Sequence, residues 1–134
     1  YRLAQTWEDV MLAQINQDII SICKSKLLEM KQDLLNRIRN LKLEFAMLDK
    51  ISGDEIDQTV AHVSENQYLI IQDRIRHQLM EIEYALARIE NGSFGICEET
   101  FEPIEGDRLL AIPYTRLSIE GAEIREQHSK KFAR

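Results

Sequence analysis

Two heptad series on either side of one turn signal constrain this chain more than any other feature of its sequence. Leu34, Ile38, Leu41, Phe45 and Leu48 are spaced by alternating four and three residues, and Ile75, Leu79, Ile82, Leu86 and Ile89 repeat the alternation. Apolar residues in that rhythm form a single seam along a helix, which is buried only against a partner helix. Ser52-Gly53-Asp54 is the one turn signal between the two series, so the arms double back and pack antiparallel. The second arm, from about residue 55 to 90, would extend roughly 50 Å at the helical rise and stop at Asn91-Gly92, a glycine placed for a C-cap. The chain is 44% hydrophobic and 7% aromatic, with five glycines and two prolines in 134 residues, which favours a mainly α fold over sheet.

A further helix begins at Thr6-Trp7-Glu8-Asp9, where the Thr6 hydroxyl can cap a free N–H and the acids suit the positive dipole end. Trp7, Val10, Met11, Ile15, Ile19 and Ile22 give it an apolar stripe, and a bend is expected within residues 21–25. After Gly92 the pattern changes to Phe94, Ile96, Phe101, Ile104, Leu109, Leu110 and Ile112, broken by Pro103, Gly106 and Pro113, which predicts short strands and turns. A last helix is expected from near Ser118 into the basic Lys130-Lys131. The expected organisation is an N-terminal helix over 1–25 packing on the base of the hairpin, a coiled-coil hairpin over 26–92 with its tip at 51–59, and a small globular knob with the C-terminal helix over 93–134.

Charge narrows the function. A net charge of −6 argues against holding nucleic acid mainly through phosphates, which needs clustered Lys and Arg, and leaves a basic protein surface as the easier partner. No apolar run is long enough to span a bilayer, and Cys23 and Cys97 are too few for a disulfide scaffold, so a cytoplasmic protein without a membrane partner is expected. Residues 51–72 carry Asp54, Glu55, Asp57 and Glu65 and no Lys or Arg. Asp54 can cap the second arm and Asp57 can sit in its first turn, but an acidic point on a helical rod also suits a positively lined opening or a metal-bearing site. An exposed tip offers no burial to shift a carboxylate pKa, and the chain has no phosphate loop, zinc-protease helix or serine elbow, so no enzyme is expected. His62 and His77 stand alone on helix faces. Cys97, with His128 the one histidine near it in sequence, lacks the partners for a tetrahedral zinc site.

The stretch Ala85-Leu86-Ala87-Arg88-Ile89-Glu90-Asn91-Gly92-Ser93-Phe94-Gly95-Ile96-Cys97, with Glu102-Pro103-Ile104 and Arg108-Leu109-Leu110-Ala111, resembles the DksA/TraR family. The likeness runs over about residues 26–127, by register along the arms and by near-continuous pattern in the knob. It implies a bacterial transcription factor that binds RNA polymerase rather than DNA, inserts a coiled-coil tip through the secondary channel, and alters initiation, commonly with the stringent-response alarmone ppGpp. Counting back from Cys97 places Asp54 and Asp57 on the family's two tip aspartates.

Three departures from that pattern carry expectations of their own. The family's four zinc cysteines fall on Cys97, Thr100, Ser118 and Gly121, so a zinc-finger-like knob without zinc or other cofactor is expected, held by burial of Phe94, Phe101, Leu109 and Ile112. Thr59 stands where the family's tip usually has alanine, adding a hydroxyl and a methyl at a close contact. Family positions for ppGpp fall on Ile70, Ile71, Arg74, Glu81 and Ala122, of which Arg74 alone suits a polyphosphate, so ppGpp cooperation is expected to be weak or absent. The chain is thus expected to act as a monomeric polymerase regulator. The alternative is a helical interaction protein whose hairpin packs on another protein or on itself, with the aspartates serving as caps.

Overall fold

The structure, a computed structural model, describes residues 7–51 and 58–132, with side chains at 17–47 and 64–132. Four helices follow in order: α1 (Trp7–Ile51), α2 (Gln58–Asn91), α3 (Gly106–Ala111) and α4 (Ile119–Phe132). The chain forms two compact units, one of residues 29–82 and one of residues 1–28 with 83–134.

The bend expected within residues 21–25 is absent. α1 is a single helix of 45 residues, because no Gly or Pro precedes Gly53 and a serine alone does not break a helix whose packing face continues. The stripe expected through Ile22 is also displaced, since Ile22 is 48% exposed whereas Cys23 and Leu27 are buried. One residue of rotation turns a side chain by about 100° around a helix, enough to carry Ile22 off the packing face.

In the unit of residues 29–82 the two arms pack as the heptads require. Leu34, Ile75 and Ile82 are buried, and Ile38, Leu41 and Leu79 are half-buried. Phe45 of α1 stacks on Tyr68 of α2 with ring centroids 4.3 Å apart and planes 24° from parallel. Leu41 lines one groove with Ile71 and Ile75, so moving back along α1 means moving forward along α2, which is the antiparallel register.

The other unit is organised by how its helix ends are satisfied. α2 stops at Gly92, whose φ of 83° is the left-handed conformation of a helix-ending glycine, and the Ser93 amide donates back to the Arg88 carbonyl at 3.0 Å. Residues 106–111 form α3 rather than a strand, with Leu109 buried. Its last carbonyls, which have no helical partner, are met from elsewhere. Beyond the last helical bond, from the Ile112 amide to the Arg108 carbonyl at 2.7 Å, the Cys23 thiol donates to the Leu109 carbonyl at 3.4 Å and the Lys26 ammonium to the Leu110 carbonyl at 2.8 Å. Among the described residues the expected strands reduce to one antiparallel bridge between Ile96 and Pro103. α4 starts where expected: the Ser118 hydroxyl accepts from the Gly121 amide at 3.0 Å, and the Glu105 carboxylate accepts from the Ile119 amide at 3.2 Å.

The burial expected of the knob holds for Phe94 and Leu109 and in part for Ile112, but not for Phe101, which is 80% exposed. The Phe101 amide donates to the Cys97 carbonyl at 2.9 Å, and this tight turn puts Phe101 at a φ of 60°. The turn directs its ring outward.

Candidate functional site

The tip aspartates Asp54 and Asp57 lie outside the described residues. Thr59 falls within α2 close after its start at Gln58, and its side chain is likewise outside them. Arg74 is exposed on α2, with Ile70 and Ile71 also exposed and Glu81 half-buried on the same helix. His77 sits 3.6 Å from Asp73 one turn earlier, both well exposed, an ordinary surface pair rather than part of a ligand set.

The four knob positions singled out by the resemblance do meet. Residues 97–101 make one turn, in which the Thr100 amide donates to Cys97 Sγ at 3.5 Å. The Cys97 amide donates to the Glu102 carbonyl at 2.8 Å, and the Glu98 amide to the Arg116 carbonyl at 2.9 Å, tying this turn to the segment that leads into α4. Ser118 immediately precedes α4 and Gly121 lies in its first turn, and a Cβ on Gly121 would overlap Cys97 Sγ. Cys97, Ser118 and Gly121 are all buried.

Such a set does not fit a structural zinc ion, which takes four thiolate or imidazole ligands. One thiol, two hydroxyls and a glycine supply a single strong donor, and the sulfur already occupies the space a side chain at position 121 would need. Among the described residues no group of three or more His, Cys, Asp and Glu could hold a metal. What the geometry supports is a hydrogen-bonded thiol. Burial pushes the Cys97 thiol up, but hydrogen bonds from the side chains and backbone of Ser118 and Thr100 outweigh it and hold the pKa down to about 6. Hydroxyls at Thr100 and Ser118 are the sequence signal for this nest, legible only once the turn brings them together. Cys23 behaves oppositely, because burial raises its pKa and nearby Lys26 offsets this only in part.

Charged side chains frame the outer side of the turn. Arg125 reaches Glu99 at 2.9 Å and Glu98 at 3.6 Å, and Arg116 lies 3.9 Å from Glu98 and 4.9 Å over the Tyr84 ring. These pairs fix the turn against α4 and the end of α2.

Both the helical arms and the knob have counterparts among known proteins. Residues 92–127 match the prokaryotic dksA/traR C4-type zinc finger. The chain is 32% identical over 116 residues to the RNA polymerase-binding transcription factor DksA of Caulobacter vibrioides, covering 87% of this chain and 82% of that protein. It is 34% identical over 123 residues to an uncharacterized protein of Aquifex aeolicus, covering 88% and 83%. Its fold is similar to that of transcription factor DksA2 from Pseudomonas aeruginosa, with a TM-score of 0.80 and 31% identity over 89% of this chain and 92% of that one. The chain belongs to the DksA/TraR family.

Proposed function

We propose that this protein regulates transcription by binding RNA polymerase directly, with the hairpin tip entering the secondary channel and modulating initiation. The observation that carries the reading is the extent of the likeness. It spans 116 residues, arms included, rather than the 36 residues of the zinc-finger match alone. Asp54 and Asp57 would be the residues that act near the catalytic centre, by charge rather than by catalysis, and Thr59 would tune their contact. No direct DNA binding is required of an acidic chain. The knob folds without zinc, as its donor set implies, and the chain works as a cytoplasmic monomer. The ppGpp response through Arg74 is weak or absent, since Ile70 and Ile71 offer no donors and Glu81 repels a polyphosphate.

The test is co-purification with core polymerase and a transcription assay of wild type against the Asp54→Asn/Asp57→Asn double variant. Binding that survives the double substitution with loss of the transcriptional effect is expected. Absence of binding, or an effect untouched by the substitutions, would sink the reading.

A second reading is favoured by one observation: Leu43, Met47, Leu69 and Ile70 are large apolar residues more than half exposed on the arms. A hairpin presenting them could pack on another helical protein or on itself. Sedimentation separates the two, because a stable dimer that fails to compete for the polymerase channel would favour packing.

A further inference from the structure

Besides its apolar core seam, α1 carries a second series in the same rhythm. Asp33, Arg37, Asn40, Glu44 and Met47 alternate four- and three-residue steps, which puts them on one helix face, and each is exposed. The packing of the two arms rests on other residues of α1, among them Leu34, Leu41 and Phe45. Beside this face runs an open groove of about 280 Å³, room for a few side chains, lined by Arg37, Asn40, Leu41, Glu44, Ile71 and Ile75. Its floor is apolar and its rim is charged.

The rim charges define what would cover it. Neither Arg37 nor Glu44 has an ion pair among the described residues. Within one turn of Glu44 on its own helix stand Asn40, Leu41, Met47 and Leu48, none of them a cation, and residues 51–72 carry no Lys or Arg either. Arg37 and Glu44 lie two turns apart with Asn40 between them. A second α1 running antiparallel, about a two-fold axis between residues 40 and 41, faces each arginine with a glutamate, and the symmetry makes both pairs at once. A parallel copy would set like charges opposite one another, and an unrelated helix would need a matching pair of its own. An asparagine amid such a seam is a device that fixes the register and orientation of paired helices.

We infer that this face of α1 binds a second copy of the chain in a reversible antiparallel homodimer, with Arg37 of each copy paired to Glu44 of the other. Exposed ion pairs contribute little each, so the dimer exchanges with the monomer. A second hairpin lying along the arm thickens the rod, and the dimer is therefore a stored form from which the working monomer is released; this last step alone rests on the polymerase reading above.

The experiment is analytical ultracentrifugation of full-length wild type, Arg37→Glu, Glu44→Arg and an equimolar mixture of the two variants. Wild type is expected to dimerise with rising concentration, less so as salt is raised. Each single variant sets like charges across the axis twice and is expected to dimerise at least roughly tenfold more weakly. The mixture is expected to recover wild-type association, because one copy then carries two carboxylates and the other two guanidinium groups. A wild type that stays monomeric, variants that dimerise as wild type does, or a mixture that stays monomeric overturns the inference. Added core polymerase is expected to draw the dimer into a complex with one copy of the chain. Polymerase that binds the intact dimer overturns the stored form, whereas a dimer alongside no polymerase binding sinks the polymerase reading and leaves the interface standing.

Discussion

Cys97 Sγ lies against Gly121 so closely that a Cβ at position 121 would overlap it. Two effects compete when Gly121 becomes alanine. Removing a helical glycine favours the helix by about 0.5–1 kcal/mol, whereas overpacking a closed site costs about 1–3 kcal/mol. The site cannot relax easily, since the sulfur is buried and held by Ser118 and Thr100. Gly121→Ala is therefore expected to destabilise by about 1 kcal/mol or more in urea unfolding. Gly106→Ala is the comparison. Its Cβ would meet only the mobile end of Ile19, at 3.0 Å, so the smaller penalty should fall there.

The same sulfur gives a pH dependence with a definite sign. Cys97 has a folded pKa of about 6 against an ordinary value of 9.0. Between these limits the unfolded chain binds the proton and the folded one does not, so stability rises with pH. The contribution is fully present above pH 9 and is lost as pH falls through 6. Cys23, raised by burial, acts in the opposite sense, lowering stability as pH climbs beyond 9. The difference in urea midpoint between wild type and Cys97→Ser should widen from pH 6 to pH 9. A difference that stays level across that interval would count against the hydrogen-bonded thiolate.

Metal removal should change nothing. The purified protein is expected to contain well under one zinc per chain by elemental analysis, and its melting temperature should not shift with a chelator. In a domain closed by zinc, metal binding is part of the folding free energy and chelation unfolds it. Stoichiometric zinc lost together with a drop in melting temperature would refute the zinc-free knob.

Phe45 and Tyr68, stacked at 4.3 Å, fix the register of the arms. A double-mutant cycle with Phe45→Leu and Tyr68→Leu should give a coupling of about 0.5–1.5 kcal/mol, the range for aromatic pairs beyond their burial. Coupling near zero would mean that the seam alone sets the register.

Much of this architecture was legible in the sequence because its causes are local. Heptad spacing dictated two arms, Asn91-Gly92 dictated where α2 ends, and Ser118 dictated where α4 begins, each through interactions within a few residues along the chain. The supposed bend within residues 21–25 had no Gly or Pro behind it, and α1 runs through. Phe101 failed for a related reason. Hydrophobicity says that a phenylalanine should be buried, while a turn closed by its own amide on the Cys97 carbonyl decides which way the ring points.

The sequence by itself determined the two helical arms and the acidic character of residues 51–72, since periodicity and charge need no knowledge of distant contacts, while the four zinc-ligand positions came from the resemblance to the DksA/TraR family. Only the tertiary structure decided what surrounds the Cys97 sulfur and what faces outward. Cys97, Thr100, Ser118 and Gly121 converge from two segments about twenty residues apart, and a thiol becomes acidic only when donors from both surround it. Such convergence depends on how the chain folds back, which no local pattern encodes.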